Sequence, residues 1–380
     1  MLALITSPAA VLIGGSVDPT LVNTLNLLSY AGHYVLITSN RPKPWWFDQH
    51  FQGSGVKFQR EIGRQNGRFL KTLAEKLACP THNILVLAAT HHDVIMAKNG
   101  RVMLVAAGWS TEANVRRFGI KINSAEQLKE LMALADGWSG HWWFEGDSGT
   151  YSTRALADLS GMGRDITQAQ AVFGKKLTQI VKQGGAQLTA LALLTSRSLY
   201  IDGIDKKKNL LWGVYPSSKS KNIDDEVLSE LTHSLRTAVC QVQMARRGVP
   251  LFIRHTPSIK RSGNRAIDRT DPTDQITTIH LNPEYRFNVQ ERSVVVVDDC
   301  TTHGLSFGVA AAFLKAAGAN EVLGLGLGKF GNTLQQYQIE IMSDPFAPVP
   351  AGGFQVHSSG PFSGRNDARA QESLRLLMQL

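Results

Sequence analysis

Cysteine is scarce and scattered. Only Cys79, Cys240 and Cys300 occur in 380 residues, an odd number with no CxxC pair and no Cys/His spacing of a zinc site. That pattern excludes a disulfide framework and structural zinc, and a reducing, cytoplasmic setting is expected. Long apolar runs are missing too: none reaches the roughly 20 residues needed to cross a bilayer, so no membrane partner is expected. The opening MLALITSPAAVLIGG is apolar but lacks the basic start of a secretory signal, and none is expected. No internal repeat is present. Blocks of like charge are short, the longest being Lys206-Lys207-Lys208.

What is present suits a packed protein. Hydrophobic residues make up 43% of the chain, enough for a substantial core, and the length suits two or three domains. The net charge of +9 fits an anionic ligand or a nucleic acid, and equally a plain basic surface.

Residues 1–110 alternate strand-like and helix-like segments. AAVLIGG, HYVLITSN, ILVLAAT and RVMLVAAG read as strands, with TLVNTLNLLSYAG and GRFLKTLAEKLAC as helices between them. Residues 111–205 read as a mainly helical connecting segment, in which Trp138, Trp142 and Trp143 are expected to pack between domains. The alternation returns over 206–332, and 333–380 reads as an extended tail ending in a short helix. The expected architecture is α/β, two doubly wound parallel-sheet domains joined by the helical segment.

The most informative stretch is SVVVVDDCTTHGLSF, residues 293–307. Four consecutive β-branched residues predict a strand covered on both faces, and ligands of parallel sheets bind at the carboxyl ends of strands. Asp298 and Asp299 stand there. A polar turn follows, then a helix from about Ser306. Backbone N–H groups, hydroxyls and a helix N-terminus suit a phosphate monoester, whereas carboxylates suit a diol. A sugar phosphate satisfies both halves.

These residues resemble the signature of the type I phosphoribosyltransferases, and the resemblance extends over about 205–332. It implies that Asp298 and Asp299 hold the ribose hydroxyls of phosphoribosyl pyrophosphate and take part in Mg²⁺ binding, with both counted as catalytic. It implies that Thr301, Thr302, His303, Gly304, Leu305 and Ser306 cradle the 5′-phosphate. His303 and Leu305 depart from the small residues usual there, and His303 is a candidate for added charge. Ser217, Ser218 and Lys219, after the strand at 210–214, fall where the family has its pyrophosphate loop. The polar stretch 255–280 falls where it has a mobile catalytic loop. Among Lys260, Arg261, Arg265 and Arg269 there, Arg261 and Arg265 are the leading catalytic candidates.

The N-terminal third resembles haloacid-dehalogenase-type phosphatases with the catalytic residues replaced. Ser16-Val17-Asp18-Pro19-Thr20-Leu21 stands for the family's Asp-x-Asp-Gly-Thr-Leu, with Ser16 at the nucleophile and Asp18 at the general acid. Ser39 matches the second motif. Ala88 and Ala89 replace two residues of the fourth, which keeps Asp93. Arg64 and Lys71 are candidates for the missing lysine. A serine forms no aspartyl-phosphate, so phosphatase activity is expected to be absent.

Two functions of different class follow. One is transfer of a phosphoribosyl group to an unidentified acceptor, for which Phe330 is a candidate stacking residue. The other is a non-catalytic nucleotide or phosphoribosyl sensor in a bacterial stress or anti-phage system. There a protein partner would dock on the N-terminal domain or the tail, or a nucleic acid would be the target.

Overall fold

The computed structural model describes residues 1–160, 167–207, 209–239, 247–259, 268–331 and 334–371. The first unit runs β1 (Ala3–Thr6), the hairpin strands β2 (Leu12–Ile13) and β3 (Ser16–Val17), α1 (Pro19–Tyr30), β4 (Tyr34–Ser39), α2 (Phe47–Phe51), β5 (Lys57–Arg60), α3 (Arg68–Lys76), β6 (Ile84–Ala88), α4 (His91–Gly100), β7 (Met103–Ala107), α5 (Ala113–Arg116), β8 (Ile120–Ile122) and α6 (Ala125–Gly137). Its six-stranded sheet has the order β5-β4-β1-β6-β7-β8, every pair parallel. Strand order reverses between β1 and β6, which makes their carboxyl ends the switch point of the sheet. Alternation of side chains divides its faces. Ala3, Ile5, Ile84 and Val86 pack against α3 and α4, while Leu2, Leu4, Leu85 and Leu87 face α1 and α6.

The second unit runs β9 (Phe144–Asp147), β10 (Ser152–Asp158), α7 (Gln168–Gln183), α8 (Ala186–Ile201), β11 (Leu210–Val214), α9 (Val227–Ala238), β12 (Phe252–Arg254), α10 (Thr273–Ile276), β13 (Ile279–Leu281), β14 (Ser293–Thr301), α11 (Leu305–Ala316), β15 (Glu321–Lys329), β16 (Gln335–Ile341), β17 (Phe354–Pro361) and β18 (Gly364–Asn366). Its sheet has the order β11-β14-β15-β10-β9-β18. The first four strands are parallel, and β9 and β18 add antiparallel neighbours. The protein is thus α/β with two sheets, one parallel and one mixed.

Two expectations about elements need correction, and one needs an addition. The segment 111–205, expected to be mainly helical, also supplies β8 to the first sheet and β9 and β10 to the second. These strands are short or carry polar residues, so no apolar run marks them. The tail beyond 333 is not merely extended: β16 and β17 pair as an antiparallel hairpin, and β18 closes on β9. The parallel strand expected at AAVLIGG lies earlier, at Ala3–Thr6, and Pro8–Val11 forms a 3-10 turn. Gly14 and Gly15, at φ +61° and +88°, turn the hairpin that follows.

The two sheets share an apolar cluster. Leu191, Leu194 and Tyr200 of α8 and Leu235 of α9 belong to the same buried cluster as Leu4 and Leu87 of the first sheet and Val295 and Val297 of the second. Trp138 and Trp142 are buried in it at 1% and 3% exposure, donating to Ser198 Oγ and Asp202 Oδ2, each at 2.8 Å. This is the packing role expected of them. Buried Arg197 of α8 donates to the carbonyls of Trp138 and His82 and to Asn83 Oδ1, at 2.9, 2.8 and 2.7 Å. Burial lowers its guanidinium to about 10, so it stays charged at neutral pH.

Helix α11 lies on the other face of the second sheet, with Leu305, Phe307 and Phe313 in a cluster that includes Val294 and Val296. Gly324 of β15 lets it approach: a Cβ there would stand 2.5 Å from Phe307 Cγ. Gly324→Ala is therefore expected to destabilise the fold by about 1–3 kcal/mol through overpacking. Urea denaturation checks this, and an unchanged midpoint would contradict it.

Candidate functional site

β14 brings two carboxylates to the end of the second sheet. Val294 to Val297 are at most 1% exposed and alternate between the two faces, so the chain is buried until Asp298. Asp298 and Asp299 are partly buried, and the strand continues two residues past them to Thr301. Asp298 Oδ2 accepts from Ser306 Oγ at 2.7 Å, and Asp298 Oδ1 from the Asp299 amide at 2.8 Å. Asp299 Oδ1 accepts from the Cys300 amide at 2.6 Å. Burial, then the neighbouring Asp299 charge, holds Asp298 well above the usual carboxylate range.

The turn that follows opens α11 as expected. Gly304 caps the helix at φ +75°, and its amide donates to Thr301 Oγ1 at 3.0 Å. A Cβ at Gly304 would stand 2.8 Å from the Gln335 carbonyl oxygen, so both the conformation and the close approach require glycine. Leu305 is buried in the α11 core at 7% exposure, which explains a large residue in a turn where small ones were expected. Ser306 uses its hydroxyl to hold Asp298. Burial, then Arg269 and Lys329, holds the His303 imidazole below its ordinary value, which runs against its serving as an added charge. Thr302 lies in the turn between β14 and α11.

Neighbouring strands end at the same edge. Parallel pairing sets Val214 beside Val297, Thr301 beside Lys329, and Lys329 beside Asp158. The loop with Ser217, Ser218 and Lys219 therefore emerges next to Asp298. Ser217 Oγ donates to Glu226 Oε1 at 2.9 Å, the Ser218 carbonyl accepts from the Ser258 amide at 3.0 Å, and Lys219 is exposed. Buried Arg254 braces this loop by donating to the Pro216 carbonyl at 3.2 Å. Lys260, Arg261 and Arg265 lie outside the described residues, as does Cys240. Phe330 is partly buried against the shared core, which is the packing role rather than an open stacking face.

Lys329 is a residue that sequence reasoning passed over. It is fully buried, donates to the Gly331 carbonyl, lies 5.7 Å from the centre of the Phe144 ring, and is drawn down to about 8 by burial. A lysine ending a strand of apolar and glycine residues was the available signal.

The first sheet presents its own constellation at the switch point. The residue following β1 is Ser7, not Ser16, which is exposed in the β2–β3 hairpin. Ser7 Oγ donates to Asp93 Oδ2 at 2.7 Å. The amides of Ala89 and Thr90 and the Thr90 hydroxyl donate to the same oxygen. Arg64 Nη1 stands 2.5 Å from Asp93 Oδ1, with both side chains at most 5% exposed. Of the two candidates, Arg64 is the one that reaches the site, and Lys71 is exposed on α3. Asp18 caps α1, accepting from the Leu21 amide at 2.8 Å. Ser39 Oγ accepts from the Arg41 amide at 3.0 Å. The Arg64–Asp93 ion pair fills the switch point of the first sheet.

A recess of 510 Å³ lies elsewhere, between α1 and α6, lined in part by Thr20, Leu27, Lys129 and Leu134. Among the described residues no group of three or more His, Cys, Asp or Glu is placed to hold a metal, and no helix is long and apolar enough to cross a membrane.

No family model matches the chain, and no curated protein sequence matches it. Among solved structures it is similar to one from Lactobacillus delbrueckii subsp. bulgaricus described as a phosphoglycolate phosphatase, at 17% identity and a TM-score of 0.28, over 31% of this chain and 54% of that one. The chain thus spans about half the length of that protein. It is also similar to one from Streptomyces avermitilis described as a HAD family hydrolase, at 17% identity and a TM-score of 0.26, over 30% of this chain and 70% of that one. A likeness of that extent assigns neither substrate nor chemistry to this chain.

Two outcomes follow from the geometry. Asp93→Asn leaves the Arg64 guanidinium buried without its counter-charge and should cost about 3–5 kcal/mol of stability. Asp93→Leu combined with Arg64→Met should cost much less, and denaturant titration separates the two. Lys329 titrates near 8 in the fold against an ordinary value of 10.5. Between those values the unfolded chain holds the proton more tightly, so this group adds stability as pH rises and penalises the fold below 8. Lys329→Met should therefore raise the denaturation midpoint at pH 7, with the gain fading towards pH 10.5.

Proposed function

We propose that the edge formed by β11, β14, β15 and β10 binds phosphoribosyl pyrophosphate and transfers its 5-phosphoribosyl group to an acceptor. The observation that carries this reading is the pair Asp298–Asp299 directly before a glycine-opened helix N-terminus. The carboxylates would accept hydrogen bonds from the ribose 2′- and 3′-hydroxyls, and the amides of Thr302 to Ser306 would hold the 5′-phosphate. Ser217, Ser218 and Lys219 border the place for the diphosphate. In the transfer the bond from ribose C1 to pyrophosphate breaks and a bond from C1 to the acceptor forms. The protein positions the reactants and stabilises charge rather than supplying a nucleophile.

The residues fit Mg²⁺ as part of this complex. Burial, then the neighbouring Asp299 charge, holds Asp298 above the usual carboxylate range, and a divalent cation beside two adjacent carboxylates would relieve that repulsion. Mg²⁺ is commonly held by one or two carboxylates together with substrate phosphates, which suits a site without an all-protein cage. When bound, it would supply charge neutralisation for the leaving diphosphate.

A second reading is a sensor that binds the same ligand without turnover. It is favoured by His303, whose imidazole burial holds below its ordinary value, and by the first-unit switch point filled by Arg64 and Asp93. Calorimetry of phosphoribosyl pyrophosphate with Mg²⁺ tests the ligand. The double variant Asp298→Asn, Asp299→Asn should keep its fold and lose at least tenfold in affinity, and equal affinity would remove the diol assignment. Pyrophosphate release against a panel of bases and nucleosides then separates transferase from sensor.

A further inference from the structure

We infer that the surface formed by the loops after β4 and β5 binds single-stranded nucleic acid. Between residues 40 and 71 the chain carries seven Lys and Arg against two acidic residues, a large part of its excess positive charge. Lys43 pairs with Asp48, and Glu61 accepts from Gln59 Nε2 at 3.0 Å. Arg64 turns inward to Asp93. Arg41, Arg60 and Arg68 remain exposed, and among the described residues none of the three makes an ion pair. Two large apolar side chains stand among them: Trp45 at 87% exposure and Ile62 at 72%.

The exposed groups are held on a fixed frame. Asn40, at the end of β4, accepts from the Gly63 amide at 2.9 Å and donates to Gln65 Oε1 at 3.3 Å, which staples the two loops together. Asn99 of α4 donates to the Gln65 carbonyl at 2.8 Å. Pro42 and Pro44 restrict the chain before Trp45. Trp46 is buried at 6%, and Phe47 packs edge-on against Phe58 of β5 at 5.6 Å between ring centres. Arg60 lies two residues beyond Phe58 on the same side of β5. The indole of Trp45 is thus left exposed next to an anchored neighbour, on a loop whose Asn40 carbonyl accepts from the Arg60 guanidinium of the edge strand at 3.4 Å.

A flat, exposed indole on a surface with guanidiniums that lack a counter-charge matches the two features of a nucleic-acid strand: unstacked base faces and a phosphodiester backbone. A duplex hides its base faces, and an acidic peptide offers carboxylates without a planar partner for the ring. Because the frame is built in advance, little ordering is needed on binding.

Fluorescence anisotropy of the full chain with a labelled 20-nucleotide thymidylate strand in low salt tests this. The single strand should bind, and a duplex of the same length should bind at least tenfold more weakly. Trp45→Ala should weaken binding at least tenfold. Arg41→Ala with Arg60→Ala should lower the slope of log affinity against log salt by about 1.4. All these positions are exposed, and an unchanged denaturation midpoint verifies the fold. Absence of binding, equal affinity of parent and variants, or equally tight binding of the duplex or of polyglutamate would each overturn the inference.

Discussion

The burial of β14 on both faces decides where charge can stand in the second unit. Four valines in a row leave no position for a polar side chain until the strand reaches the sheet's edge, since an unpaired buried charge costs several kcal/mol. The carboxylates appear at the first position where burial relaxes. Even there Asp298 needs the Ser306 hydroxyl and the Asp299 amide, and it still titrates high. The same close packing sets the helix: Phe307 fits over Gly324, which fixes the depth of α11 and so the position of its N-terminus relative to the aspartates. Carboxylates, amide turn and the buried Lys329 are brought to one edge by a packing constraint on residues that touch no ligand.

The first unit applies the same topology to an opposite end. Its switch point lies between β1 and β6, where an open α/β sheet usually binds its ligand. Ser7, Ala89, Thr90 and Arg64 all turn to Asp93 there. These groups are turned to an internal carboxylate. On the outer surface of the neighbouring loops the cationic side chains of Arg41, Arg60 and Arg68 and the indole of Trp45 are exposed, on a frame joined by Asn40.

Legibility in the sequence followed the strength of local patterning. The Val294–Asp299 strand, the turn and α11 were legible because four β-branched residues, two carboxylates and a glycine-opened helix each carry an independent signal. The helix begins at Leu305 and ends at Ala316, with Gly318 beyond it, close to the expected span. The register of the first strand was not legible, because LALIT and AAVLI are both short apolar runs and only tertiary burial chooses between them. That choice places Ser7 rather than Ser16 directly after the first strand. β9, β10 and the β16–β17 hairpin were missed because their polar and glycine residues make no apolar run. Lys329 was missed because its significance is its burial, which a sequence shows only once the strand's neighbours are known.

The shared core ties the two units together. Helix α9 packs on β11 and β14 of the second sheet, and α8 and α9 are themselves covered by the first unit. Tyr200 of α8 donates to the Val102 carbonyl at 3.0 Å, just before β7, and the Gly119 amide donates to Thr237 Oγ1 of α9 at 2.8 Å. Without the first unit, Leu191, Leu194 and Leu235 would lose part of the apolar surface that buries them, at a cost on the order of 25 cal/mol for each Å² exposed. Val295 and Val297 depend on the same layer for the burial that drives Asp298 to the edge. The first unit therefore supports the candidate site through the packing of this shared layer.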